Sequence, residues 1–265
     1  MTFVLGLASF VAGCIADGAP PDSEPEAETT GEVTWVDDGD TIEVDRDGQV
    51  TEVRLVAVNA PDQGECFADR ALDHLVQTLR DRTVRLEVVG EDQFGRALAH
   101  VFDGDRHVNL ELVEMGIVVA STPEEDDPYR EAMLQAEDEA HSSGEGLWAS
   151  AACGSHGPVP DVAIDPDRST VDPVGPDDQN LGAETITIVN DGAEPIDLTG
   201  WIIRDESTRH RFTFDVGSTI GAGETLTVSS TEPGWDPGDS PVWNNGGDMA
   251  LVQLPDGTVV ARWRY

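Results

Sequence analysis

Short β-branched runs broken by Asp-Gly turns fill residues 33–58. The apolar spacing then switches to a helical period at 67–79. Beyond residue 162 that period disappears, and only short strand-like runs recur. These three observations predict an α+β domain followed by an all-β domain. The 265 residues suffice for one large domain or two ordinary ones.

In the first domain the strand runs are 33–36, 41–44 and 50–58, with turns at Asp38-Gly39 and Asp47-Gly48. Asp-Gly between apolar runs is a strong hairpin signal. Phe67, Ala71, Leu72, Leu75, Val76 and Leu79 recur at helical spacing ahead of Arg80 and Arg82. Strands follow at 83–89 and 97–102. A short helix fits 108–118, and Tyr129, Met133, Ala136 and Ala140 mark a third helix ending near Gly144. Five strands and three helices, the first helix lying between the third and fourth strands, predict a small Greek-key barrel of the OB type. A Gly- and Pro-rich linker spans 154–160. Strand runs at 184–189, 201–204, 211–214, 225–229, 249–254 and 259–263, separated by Gly-containing turns, predict an antiparallel β-sandwich over 161–265.

The formal net charge is -38, and all 15 basic residues are Arg. No segment is basic, which excludes the broad positive footprint of a general nucleic-acid binder. Any anion site must be built locally. Acidity of this order suits a chain that works at high salt, where self-repulsion is screened; a GC-rich genome would also deplete Lys.

The chain contains Cys14, Cys66 and Cys153. The apolar run FVLGLASFVAGC ends in Val-Ala-Gly-Cys, which resembles the lipobox of bacterial and archaeal lipoproteins. The resemblance implies a signal-like segment over 1–14 with Cys14 as the lipidated residue; the run is too short to span a bilayer. Residues 15–31, rich in Pro, Asp, Glu and Thr, read as a disordered tether. An exported chain with one remaining pair of cysteines predicts a Cys66–Cys153 disulfide, worth on the order of 4 kcal/mol. Two inert buried thiols are the alternative.

Four motifs then fall in order: VDDGDT (36–41), RLVAVNAPD (54–62), DQFGR (92–96) and GEGLW (144–148). Together they resemble the thermonuclease, or staphylococcal nuclease-like, family, whose motifs read V-x-D-G-D-T, R-L-x-x-V-D-x-P-E and D-x-Y-G-R. The resemblance covers about residues 32–150 of a domain spanning 32–153. It implies a calcium-dependent nuclease that uses water to cut phosphodiesters of DNA or RNA, leaving a 3′-phosphate; another divalent cation is the alternative cofactor. Asp40 would be a direct ligand, Asn59 would fill the second carboxylate position, and Ala60 would offer its carbonyl. Asp62 would orient or deprotonate the attacking water. Arg54 and Arg96 would grip the phosphate, a task suited to the planar guanidinium fork.

Three positions depart from the pattern. Asn59 replaces Asp and removes a charge, Asp62 replaces Glu and is one methylene shorter, and Phe94 replaces Tyr. The first two imply reduced activity. The family's base-stacking tyrosines have no match within 121–129. Each residue also has a structural reading: Asp40 as a turn or cap residue, Arg54 and Arg96 as surface ion pairs, and Asp62 as a helix cap. Asp37 and the acidic run 124–127 read as solvated. His74, His100 and His107 lack zinc spacing.

The second domain carries ETITIVN (184–190), IDLTGW (196–201), FTF (212–214), IGAGE (220–224) and WNNGGD (243–248). It resembles the lamin-tail domain, which implies an immunoglobulin-like sandwich binding an unknown ligand: envelope polymer, DNA or protein. It assembles no catalytic set, and Trp201 and Trp243 read as core. The leading expectation is an exported, lipid-anchored monomeric nuclease on the outer face of the cytoplasmic membrane. The alternative is a catalytically weakened barrel and sandwich that binds or attaches to a surface.

Overall fold

The computed structural model describes residues 29–122, 125–154, 159–173, 181–207, 209–236, 242–243 and 247–265. The lipobox with Cys14, the tether up to residue 28, Glu124, linker residues 155–158 and residues 244–246 of the WNNGGD motif lie outside them.

The first domain runs β1 (Thr29–Val36), β2 (Thr41–Arg46), β3 (Gln49–Leu55), β4 (Val58–Asn59), α1 (Ala68–Leu79), β5 (Thr83–Glu91), β6 (Ala97–Asp103), β7 (Arg106–His107), α2 (Val108–Glu114), β8 (Val119–Ala120) and α3 (Arg130–Ser143). The sheet order is β3-β2-β1-β5-β6-β7. Parallel pairing of β3 with β6, Val53 opposite Ala97 and Leu55 opposite Ala99, closes five strands into the expected barrel. Val33, Ile42, Val44, Val53, Leu86 and Val101 fill its interior. The amphipathic face of α1 buries Ala71, Leu75 and Leu79 against them.

Three boundaries differ from the sequence reading. Residues 29–31, expected in the tether, belong to β1 and pair with β5. Gly31 permits this, because a Cβ there would sit 2.4 Å from Val44 Cγ1. The single expected strand over 50–58 breaks at Ala57, whose φ is +60°. The resulting kink sends Val58 and Asn59 off the barrel to pair with β8. The helix expected over 108–118 stops at Glu114, since Gly116 turns to φ +60° and lies against the Glu145 backbone.

The second domain comprises β9 (Val162–Ile164), β10 (Thr185–Asn190), β11 (Ile196–Asp197), β12 (Ile202–Arg204), β13 (Arg211–Thr213), β14 (Thr219–Ile220), β15 (Thr225–Ser229), β16 (Trp235–Asp236), β17 (Met249–Gln253) and β18 (Val259–Arg264). Its sheets are ordered β15-β10-β9 and β16-β13-β12-β17-β18, with β11 and β14 paired separately. Trp201 and Trp243 are both buried in the core with Ile186, Ile188 and Ile203. Residues 162–164, 196–197, 219–220 and 235–236 are too short to have shown a period-two pattern.

The domains are packed together. Met249 and Leu251 of β17 join the core of the first domain. Glu137 on α3, 1% exposed, is ion-paired by Arg264 Nη2 at 2.6 Å and Arg262 Nη1 at 3.5 Å. Cys66 and Cys153 form the expected disulfide, with Cα atoms 5.5 Å apart. The Gly257 turn of the second domain lies against it.

Candidate active site

The β1–β2 turn builds the floor of a cleft of about 790 Å³. Asp38 accepts the Asp40 N–H at 2.9 Å, which tightens the turn. Asp37 and Asp38 stay exposed while Gly39 and Asp40 are buried. Gly39 is required by close approach: a Cβ there would fall 2.5 Å from Ala71 Cβ and 2.7 Å from Ala60 Cβ. The acidic stretch is therefore both a turn and a wall, with the roles divided between Asp38 and Asp40.

The Ala57 kink brings the Ala60 N–H to Asp40 Oδ2 at 2.6 Å. Arg54 bridges the set: its Nη1 lies 2.7 Å from Asp40 Oδ1, and its Nη2 donates to Asn59 Oδ1 at 2.6 Å. Burial pushes the Asp40 carboxyl up to about 7 and Asp38 adds to the rise, while Arg54 pulls against it. A nearby cation favours the ionised form. Arg96 also lines the cleft; Asp92 Oδ2 holds its Nε at 2.7 Å, and Asp92 Oδ1 accepts the Phe94 and Arg96 N–H groups. Phe94 is 68% exposed. Asp62 stands at the rim. It is not a helix cap, because α1 starts after Phe67 without a side-chain cap. The cleft thus brings together Asp40, Arg54, Asn59, Ala60, Asp62 and Arg96, all anticipated from sequence.

A sequence profile described as Staphylococcal nuclease homologue matches residues 52–150. A thermonuclease of Staphylococcus intermedius is 33% identical over 143 residues, covering 50% of this chain and 85% of that protein. The chain belongs to the staphylococcal nuclease family. A thermonuclease of Staphylococcus hyicus is 30% identical over 131 residues, 46% of this chain and 78% of its own. An uncharacterized endonuclease of Haemophilus influenzae is 32% identical over 118 residues, 44% of this chain and 65% of its own length. A second profile, Lamin Tail Domain, matches residues 163–265. The staphylococcal nuclease-like domain is followed by a lamin tail domain.

Among the described residues, no group of three or more His, Cys, Asp or Glu gathers as a metal site. This staphylococcal nuclease-like cleft offers a cation one buried carboxylate, Asp40, and the Asn59 amide oxygen. The Asp40 and Asn59 oxygens already converge on one positive group, Arg54. An all-oxygen set of this kind fits a hard divalent cation rather than a soft one.

His74, His100 and His107 do not line the cleft. His74 faces Glu111, and His100 bridges His107 and Asp127 at 3.1 and 3.0 Å. Asp127, expected as solvated, is therefore buried by a partner its own loop does not reveal. Tyr129 packs on His100 and His107 and donates its hydroxyl to Glu87, so it is no base-stacking platform.

Ser207 and Arg209 of the lamin tail domain also line the cleft. Sequence reasoning missed both. They lie far along the chain in a loop without a motif, and nothing local connects them to Asp40.

Proposed function

We propose that the protein is a calcium-dependent nuclease hydrolysing phosphodiester bonds of DNA or RNA. One observation carries this reading: Asp40, Arg54, Asn59, Asp62 and Arg96 share one cleft in a chain similar to the staphylococcal thermonucleases. Asp40, Asn59 and the Ala60 carbonyl would hold the cation. Calcium, when bound, supplies positive charge that neutralises the phosphate. Arg54 and Arg96 clamp the diester oxygens and stabilise charge that develops as water attacks phosphorus. Asp62 accepts a hydrogen bond from that water and takes its proton as the new P–O bond forms; the P–O5′ bond breaks, and the 5′ oxygen leaves and is protonated by solvent. Arg54 is held ready by Asp40 and Asn59, and its fork keeps donor capacity for the phosphate.

The test is cleavage of labelled DNA and RNA with calcium, with chelator, and with Arg54→Ala. Metal-dependent cleavage that drops about 10²–10³-fold in the variant is expected. Binding without cleavage would instead support the rival reading, a weakened binding protein, which the shorter Asp62 and uncharged Asn59 favour.

Export and lipid anchoring belong to the same proposal. They are supported by the Cys66–Cys153 disulfide, a bond that persists in oxidising compartments, and by the lipobox resemblance at Cys14. Labelling with a radioactive fatty acid should mark the full-length precursor and be lost in Cys14→Ser.

A further inference from the structure

We propose that Arg209 of the lamin tail domain is a substrate-binding residue of the nuclease cleft, gripping a polynucleotide phosphate beside the one held by Arg54 and Arg96. The proposal rests on the cleft being a polynucleotide site. Three arginines line it, and two are already engaged: Arg54 by Asp40 and Asn59, Arg96 by Asp92. Arg209 is exposed and makes no ion pair among the described residues. Its charge is not offset by a carboxylate among the described residues, whereas those of Arg54 and Arg96 are. Asp37, Asp38 and Asp69 line the same cleft, so each added positive charge matters for a polyanion there.

The loop bearing Arg209 is fixed to the nuclease domain from several sides. The Glu206 carboxylate accepts from Ser121 Oγ at 3.1 Å, from Thr122 N and Oγ1, each at 2.7 Å, and from Arg264 Nη1 at 3.2 Å. The Glu206 carbonyl accepts from Asn59 Nδ2 at 3.2 Å. Arg204 Nη1 donates to the Ser207 carbonyl, and Ser207 Oγ bonds Asp205 and accepts the Arg209 N–H. Such anchoring places the loop before any ligand arrives, which lowers the entropic cost of using it. Both line the cleft, Arg54 beside the buried Asp40 and Arg209 on an exposed loop. A strand crossing the cleft meets them with different phosphates.

The experiment uses the full chain and a short labelled single-stranded oligonucleotide. Anisotropy in calcium-free buffer across a salt series gives Kd and its salt slope, and initial rates with calcium give KM and kcat. Arg209→Ala should raise Kd about tenfold and flatten the slope of log Kd against log salt by about 0.7, with the kinetic loss falling in KM. Arg209→Lys should restore the slope. Equal Kd and slope in wild type and Arg209→Ala overturn the proposal, as does undetectable binding by the wild type. If the wild type binds but cleaves nothing, the nuclease reading fails, and the comparison of slopes still decides Arg209.

Discussion

The side-chain amide of Asn59 faces two ways. Its oxygen accepts from Arg54 and its nitrogen donates to the Glu206 carbonyl. An aspartate could serve Arg54 and add charge for a cation, but it would turn an acceptor toward another acceptor. We predict that Asn59→Asp binds calcium more tightly by titration calorimetry, while the Glu206 and Ser207 amides exchange faster with solvent. Unchanged exchange would sever Asn59 from the loop. The identities of Asp40, Arg54 and Arg96 were readable because a motif fixes their spacing to two turns and the strand β3. The reason for Asn59 was not, since its second partner lies 147 residues away.

At the level of elements, the barrel and its helices were legible where a period runs for several turns, as along α1. They were illegible where backbone geometry overrides the pattern, as at Ala57. The β1–β2 turn and α1 meet at Gly39 with no room for a methyl group. Gly39→Ala must therefore push α1 away or twist the turn that carries Asp40. Overpacking of this kind costs about 1–3 kcal/mol. The expected result is a lower chemical-denaturation midpoint together with lost cleavage; a variant as stable and active as wild type would show that the turn does not need this contact.

Over the whole molecule, charge and domain contact decide the behaviour. Removing Arg264 leaves Glu137 buried with the more distant Arg262 and the Ala120 N–H, and breaking a buried pair typically costs about 3–5 kcal/mol. Because β17 shares the first core, wild type should unfold in one calorimetric transition and Arg264→Ala in two. The -38 net charge sets the salt response. At about 1 M salt the Debye length shrinks to roughly 3 Å, so remote acids lose their effect while the arginines in the cleft keep theirs. Cleavage should persist or rise toward molar salt; a steep decline with the fold intact would contradict this. The two domains were legible from composition and period, but their union was not. Glu137, Glu206, Arg262 and Arg264 look like ordinary surface charges until the fold buries them against one another.

The amide bridge from Asn59 to Glu206 also limits how the gene can be rearranged. Exchanging the tail for a foreign sandwich would strip one side from the cleft and orphan a hydrogen bond beside Arg54. Barrel and appended module thus form one structural unit, and chimeras that treat them as beads on a string should come out impaired.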